Sequence, residues 1–402
     1  MLFYWWLTET RERQPPSWSL PFFAFSNKEG NDLVKIFVSP SDFVLGSDVL
    51  KTGKDFLVKF GNKPFLLGDP FIMENVGKDF AEYLTDEGMK VTSVSFTGEA
   101  TMAAIDSVGN QAKDADCDFL IGLGGGKTID TAKSAASNLG IPLVIIPTLA
   151  STDAPTSRLA VIYKEDGSLE NYLGFNANPN LVLVDSKVIA GAPTRFLAAG
   201  FGDALSTWIE ARAIKRAFGK TILSGHQTLT ALAIAEKCEE VIFEYAFEAL
   251  EANAANVVTP ALEYAIEANI LMSGLGFESG GTCAVHPIQN AFLVLGRGKN
   301  LMHGERVAFG ILCQLMMEGA PKAEFDRYLD FLIRLGLPTT LEDQGLADIT
   351  AEELKMVGET ANAPWESIHQ LPAEVTPESV VNAIVAVDKY ATTYKKEHGF
   401  LN

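Results

Sequence analysis

The chain has 402 residues, 47% of them hydrophobic, with a mean hydropathy of +0.12, which suits a folded protein of two or three domains. Its 32 Lys and Arg against 51 Asp and Glu leave a formal charge of −19. Nucleic acid and anionic membranes both demand clustered cations, and no run of adjacent basic residues exceeds two, as at Lys395-Lys396, so both are excluded as partners.

Residues 1–34 form an aromatic-rich extension with Trp5, Trp6 and Trp18. Glu9, Arg11, Glu12 and Arg13 interrupt its apolar stretch, so it reads neither as a membrane span nor as a secretory signal. Organelle targeting by this extension stays open. The cysteines Cys117, Cys238, Cys283 and Cys313 have no paired spacing, which argues against a disulfide framework and a thiolate zinc knuckle. A reducing, cytoplasmic setting fits.

From residue 35 short apolar runs alternate with amphipathic stretches, the pattern of parallel strands joined by helices. The predicted strands are Lys63 to Leu67, residues 91–96, Phe119 to Leu123, Leu143 to Ile146 and Leu181 to Val184, with a helix near Val76 to Met89. Leu159 to Tyr163 and Asn171 to Phe175 form a hairpin around Asp166-Gly167. From Pro193 onward the pattern turns helical, as in Thr228 to Phe247 and Pro260 to Leu275. The reading is an α/β dinucleotide-binding domain over 35–194 and an all-helical domain over 195–402.

Gly122-Leu123-Gly124-Gly125-Gly126-Lys127-Thr128 lies between a strand and the amphipathic segment Ile129 to Ser137. Glycines let a phosphate approach the backbone, and the following helix offers unpaired N–H groups. The Walker spacing fails by one residue, with Ile121 where its first glycine belongs, which disfavours a P-loop kinase. The Rossmann spacing fails because Lys127 stands where its third glycine belongs. A second polar loop, Pro147 to Ser157, follows the next strand. Asp203, expected to open a helix with Ser206, Thr207 and Glu210 on its polar side, joins His286 and His303 as an oxygen and nitrogen donor set. Such a set suits zinc or iron(II), and the residue types alone leave ordinary buried histidines as the alternative.

The strings GLGGGKTIDTAK (122–133), PTLASTDAPTS (147–157), LVLVDSKVIAGAP (181–193), GFGDALSTWIEARA (200–213), VVTPALEYAIEAN (257–269), SGLGFESGG (273–281) and MHGERVAFG (302–310) closely resemble the NAD-dependent glycerol dehydrogenases of bacterial type. These belong with the iron-containing alcohol dehydrogenases and dehydroquinate synthases. The resemblance runs from about residue 35 to the C-terminus. It implies a dehydroquinate synthase-like fold, the cofactor NAD, a Zn2+ ion held by Asp203, His286 and His303, and a homo-oligomer. It also places Gly124, Gly125, Gly126 and Lys127 at the pyrophosphate, and Thr148, Ser151, Ser157, Leu159 and Tyr163 at further cofactor contacts. Asp69 falls at the adenosine ribose and Asp153 at the polyol.

A carboxylate at Asp69 accepts from a ribose 2′-hydroxyl and repels a 2′-phosphate, which favours NAD over NADP. Thr207 stands where the more remote iron-dependent enzymes carry a fourth, histidine ligand, which favours zinc with an open site. The chain departs from the family pattern at His286-Pro287-Ile288-Gln289, where Gln289 replaces a second imidazole and Pro287 is tolerated only in a first helical turn or at a bend. The implied reaction is oxidation of glycerol to dihydroxyacetone. The route of its proton, through metal-bound water or Asp153, stays open. Another vicinal diol, a small aldehyde or a dehydroquinate synthase-like lyase reaction are the alternatives.

Overall fold

The computed structural model describes residues 33–297 and 300–400. All but the end of the expected 1–34 extension therefore lies outside the described residues. Helices and strands alternate first, with β1 (Asp42–Gly46), α1 (Lys54–Leu57), β2 (Pro64–Gly68), α2 (Pro70–Ile72), α3 (Lys78–Asp86), β3 (Thr92–Ser95), α4 (Met102–Asp114), β4 (Phe119–Gly124), α5 (Gly126–Leu139) and β5 (Leu143–Pro147). The antiparallel hairpin β6 (Leu159–Tyr163) and β7 (Leu169–Gly174) follows, then β8 (Leu181–Asp185) and α6 (Ser186–Ala190).

Six strands form one parallel sheet in the order β1-β8-β5-β4-β2-β3. Strands β2, β4, β5 and β8 are buried throughout, which is why PFLLG, FLIGLG, LVIIP and LVLVD read as apolar runs without alternation. The expected strands match these elements to within a residue or two. Strand β1 was not expected, because its half-buried DFVLG carries neither a full apolar run nor a clean alternation. The chain passes from β2 outward to β3 and then back across β2 to β4, so the carboxyl ends of β2 and β4 form a switch point. Gly68 is paired with Leu123 there. Ligands in open parallel sheets bind at that place.

After β8 no strand occurs among the described residues. The helices are α7 (Thr194–Ala217), α8 (Leu229–Ala254), α9 (Pro260–Glu267), α10 (Ser273–Gly280), α11 (Val285–Ala291), α12 (His303–Met317), α13 (Lys322–Arg334), α14 (Ala351–Ala361) and α15 (Pro377–Glu397). Thr228 and Thr259 start α8 and α9 by accepting from the backbone N–H groups of Ala231 and Leu262 at 3.0 and 3.3 Å. The stretch expected as one helix over Pro260 to Leu275 instead contains a π-helical turn, Ala268–Met272, between α9 and α10. Among the described residues no helix is long and apolar enough to cross a membrane.

Helices α7 and α12 cross with their backbones in contact. A methyl group at Gly304 would overlap the carbonyl oxygen of Ala199, and one at Gly202 would overlap that of Gly304. Only glycine permits this approach, and it sets Asp203 of α7 beside His303 of α12. Both obstructing atoms are backbone and cannot swing away, so Gly304→Ala is expected to cost about 1–3 kcal/mol by overpacking. Thermal or urea unfolding of the metal-free protein reads this directly. An unchanged midpoint would show that the crossing is looser than described.

Candidate active site

Asp203 lies in the middle of α7, not at a helix start as expected, because the helix begins about two and a half turns earlier at Thr194. It is 2% exposed. His303 is the first residue of α12 and His286 is the second of α11. Pro287 therefore sits in the first turn, where its missing N–H removes no helical hydrogen bond. Nε2 of His303 lies 3.2 Å and Nε2 of His286 lies 3.8 Å from Oδ1 of Asp203. Donor atoms of the three residues fall within 4.8 Å of one another, close enough for one ion.

Glu210, two turns after Asp203 on the same face of α7, fixes the orientation of His286. Its Oε2 is 2.6 Å from Nδ1 of His286, and its Oε1 accepts the backbone N–H groups of Cys283 at 2.7 Å and His286 at 3.3 Å. With Nδ1 donating to a buried carboxylate, Nε2 is the nitrogen left to face Asp203 and to ligate a metal. Burial works against charge on His286, but Glu210 and Asp203 outweigh it and hold the imidazole well above its ordinary pKa. Burial likewise works against charge on Asp203, and the two imidazoles more than offset it, holding this carboxyl below the usual range.

Asp153 comes to the triad from the loop between β5 and β6. Its backbone N–H donates to Oδ2 of Asp203 at 3.4 Å, and its own Oδ2 accepts from the Ser273 hydroxyl at 2.8 Å. Burial first, then the charge of Asp203, push the Asp153 carboxyl up to about 8. Two carboxylates and two imidazoles thus meet in a confined space. That donor set fits a divalent cation, which would relieve the repulsion between the carboxylates.

The glycine-rich turn lies at the switch point. Gly125 precedes α5 in an extended conformation with no side-chain cap, and α5 starts at Gly126, so Lys127 and Thr128 belong to its first turn rather than to the loop before Ile129. Gly124 has φ +152°, and a side chain on Gly126 would meet open space. The hydroxyl of Thr148 is buried without a partner. Oδ1 of Asp69 caps α2 through the N–H groups of Phe71 and Ile72, and among the described residues Oδ2 has no partner. An uncapped helix start, an orphaned hydroxyl and a carboxylate oxygen at the ends of adjacent strands fit a dinucleotide. Lys127 is engaged with Glu99 at 2.5 Å.

Of the remaining predicted contacts, Ser157 and the Leu159 carbonyl are engaged by Lys133. Lys133, 2% exposed, donates to the carbonyls of Ala154 at 2.5 Å and Leu159 at 2.7 Å, and to the hydroxyl of Ser157 at 3.1 Å. Ser151 lies half-buried in the same loop, and Tyr163 ends β6. Burial depresses the Lys133 ammonium, and nearby Asp130, itself pushed up to about 6 by burial, opposes that. Sequence reasoning assigned no role to Lys133, Glu210 or Ser273. For Glu210 a signal existed, since 203, 207 and 210 share one helical face and all three are polar. A surface groove of about 480 Å³ lined by Leu229, Thr230, Ala233, Ile234, Lys237 and Met272 contains none of these site residues.

Residues 40–186 match the family model described as iron-containing alcohol dehydrogenase. A glycerol dehydrogenase of Escherichia coli O6:H1 is 40% identical over 363 residues, covering 90% of this chain and 99% of that protein. A glycolaldehyde reductase of Halobacterium salinarum is 38% identical over 89% of this chain and 98% of that protein. The crystal structure of glycerol dehydrogenase from Schizosaccharomyces pombe superposes with a TM-score of 0.89 at 38% identity, covering 92% of this chain and 94% of that one. A parallel sheet with its switch-point turn, joined to helices carrying a carboxylate and imidazole triad, defines an oxidoreductase acting on CH–OH groups. The chain belongs to the iron-containing alcohol dehydrogenase family.

Because Glu210 orients His286 and raises its basicity, Glu210→Gln is expected to weaken zinc binding about 10- to 100-fold. Competition with a chromophoric chelator measures this. Wild-type affinity in the variant would remove Glu210 from the account.

Proposed function

We propose that the protein oxidises glycerol to dihydroxyacetone with NAD, assisted by a zinc ion held by Asp203, His286 and His303. The observation that carries this reading is the backbone hydrogen bond from Asp153 to Asp203, which puts a carboxylate suited to hydroxyl groups directly beside the metal donor set. The division of labour follows the chain, with NAD binding assigned to residues 35–194 and metal binding to 195–402.

The metal would supply Lewis acidity to ease loss of the alcohol proton, and NAD would supply the hydride acceptor for the secondary carbon. Everything else falls to the residues of this chain. Glu210 keeps Nε2 of His286 turned toward Asp203. Asp153 accepts a hydrogen bond from a hydroxyl adjacent to the reacting one, which selects a vicinal diol over a simple alcohol. The N–H groups at the start of α5, with Gly124, Gly125, Gly126 and Lys127, hold the pyrophosphate. Thr148 and Ser151 contact the nucleotide, Asp69 takes the ribose hydroxyls, and Ser157, Leu159 and Tyr163 border the cofactor. The hydroxyl proton passes to solvent, so the products are ketone, NADH and one proton. A cytoplasmic homo-oligomer belongs to the same reading.

A second reading, reduction of glycolaldehyde or a similar small hydroxyaldehyde, is favoured by one observation. The glycolaldehyde reductase is nearly as similar to this chain as the glycerol dehydrogenase. Both substrates present adjacent oxygens, so the proposed site accommodates either.

The test pairs the wild type with His303→Ala. Wild-type protein should reduce NAD with glycerol and bind one zinc per chain, whereas the variant should lose both NADH formation and stoichiometric zinc. Retained activity in the variant would overturn the metal assignment. A kcat/KM for glycolaldehyde reduction far above that for glycerol oxidation would transfer the assignment to the second reading.

A further inference from the structure

The π-helical turn Ala268–Met272 and the Ser273 that follows it grip the loop that carries Asp153 at three points. The Asn269 side chain donates to the carbonyl of Ala150 at 2.9 Å. The carbonyl of Ile270 accepts the Thr156 hydroxyl at 3.0 Å, and Ser273, the residue after the turn, donates to Oδ2 of Asp153 at 2.8 Å. A π-turn inserts one residue into a helix and frees a carbonyl from the regular ladder. Here Ile270 puts its carbonyl to use outside the helix. One residue more or less rotates everything after it by roughly 100°, so without the insertion Ser273 would face away from the loop.

The hydroxyl of Ser273 is itself ordered. Thr207 of α7, four residues after Asp203, has its Oγ1 3.0 Å from Oγ of Ser273, and both residues are essentially inaccessible to solvent. With the Ser273 proton directed to the carboxylate, Thr207 is the donor of that pair. A chain of hydrogen bonds therefore runs from Thr207 through Ser273 to one oxygen of Asp153, while among the described residues Oδ1 has no partner. Gly274 completes the fit, because any side chain there would overlap the Thr156 hydroxyl.

From this geometry we infer that Ser273, ordered by Thr207 and placed by the π-turn, is a positioning residue that fixes which oxygen of Asp153 faces the substrate and so sets the preference for vicinal diols. The inference rests on the reading of Asp153 as the anchor for the second hydroxyl. The position Thr207 thereby has a use of its own, in place of a fourth metal ligand.

The experiment compares kcat/KM for 1,2-propanediol and for 2-propanol in the zinc- and NAD-loaded full-length protein, for wild type, Asp153→Asn, Ser273→Ala, Thr207→Val and Asp153→Asn/Ser273→Ala. Loss of the hydrogen bond from Ser273 to Asp153 in Ser273→Ala should lower the diol to monoalcohol ratio about tenfold, chiefly through a higher KM for the diol. Thr207→Val should shift the ratio in the same direction by less, and it keeps the test intact if Ser273→Ala does not fold. Adding Ser273→Ala to Asp153→Asn should change the ratio little further. If Asp153→Asn lowers the ratio and neither hydroxyl variant does, the positioning role is overturned while the anchor stands. If Asp153→Asn leaves the ratio unchanged, the anchor fails and the inference with it. A loss in Ser273→Ala shared equally by both alcohols would mark a structural role only and overturn the inference.

Discussion

A carboxylate with 2% of its surface exposed cannot stay charged in a protein interior without partners, and the active site is organised around satisfying Asp203. Two imidazoles face one of its oxygens, and a backbone N–H from the Asp153 loop faces the other. Each of those partners is supplied by a different element, so the charge of Asp203 ties α11, α12 and the β5–β6 loop to α7. The glycine contact between α7 and α12 makes this possible, because side chains at 202 and 304 would hold the helices apart. A divalent cation would complete the arrangement by offsetting the like charges of Asp203 and Asp153.

Around that centre lies a ring of buried polar groups whose task is orientation. Glu210 turns His286, Ser273 turns Asp153, and Lys133 gathers the loop from Ala154 to Leu159 by three hydrogen bonds. The overall charge of −19 is compatible with an anionic cofactor because the proposed pyrophosphate site offers backbone N–H groups at the start of α5 rather than a basic patch. Lys127, the nearby cation, is already balanced by Glu99. An uncharged polyol meets no opposition from an acidic surface, which agrees with the proposed substrate.

Much of the fold was legible because buried parallel strands are continuous apolar runs, and β2, β4 and β5 end in glycine or proline. Strand β1 escaped because it is half-buried along its whole length. The glycine-rich turn was readable as a strand-to-helix turn from residue type alone. The triad was not, because Asp203, His286 and His303 stand far apart in the chain and only tertiary packing unites them; the family resemblance supplied what spacing did not. The π-turn and Ser273 were invisible for another reason. A single inserted residue leaves hydrophobic periodicity almost unchanged, yet it redirects the hydroxyl that follows. Asp203 was expected to open a helix, whereas it lies inside α7, where Gly200 and Gly202 allow close approach of the Ala150 and Gly304 carbonyls.

The proposed metal site consists of one carboxylate and two imidazoles of this chain, with positions left for substrate. X-ray absorption at the zinc edge, on zinc-reconstituted full-length protein with and without glycerol, examines that coordination directly. The account predicts one zinc per chain with two imidazole nitrogens and otherwise oxygen donors, no sulfur, and a change among the oxygen donors when glycerol is added. A thiolate shell, or a zinc environment with fewer than two imidazoles, would contradict it.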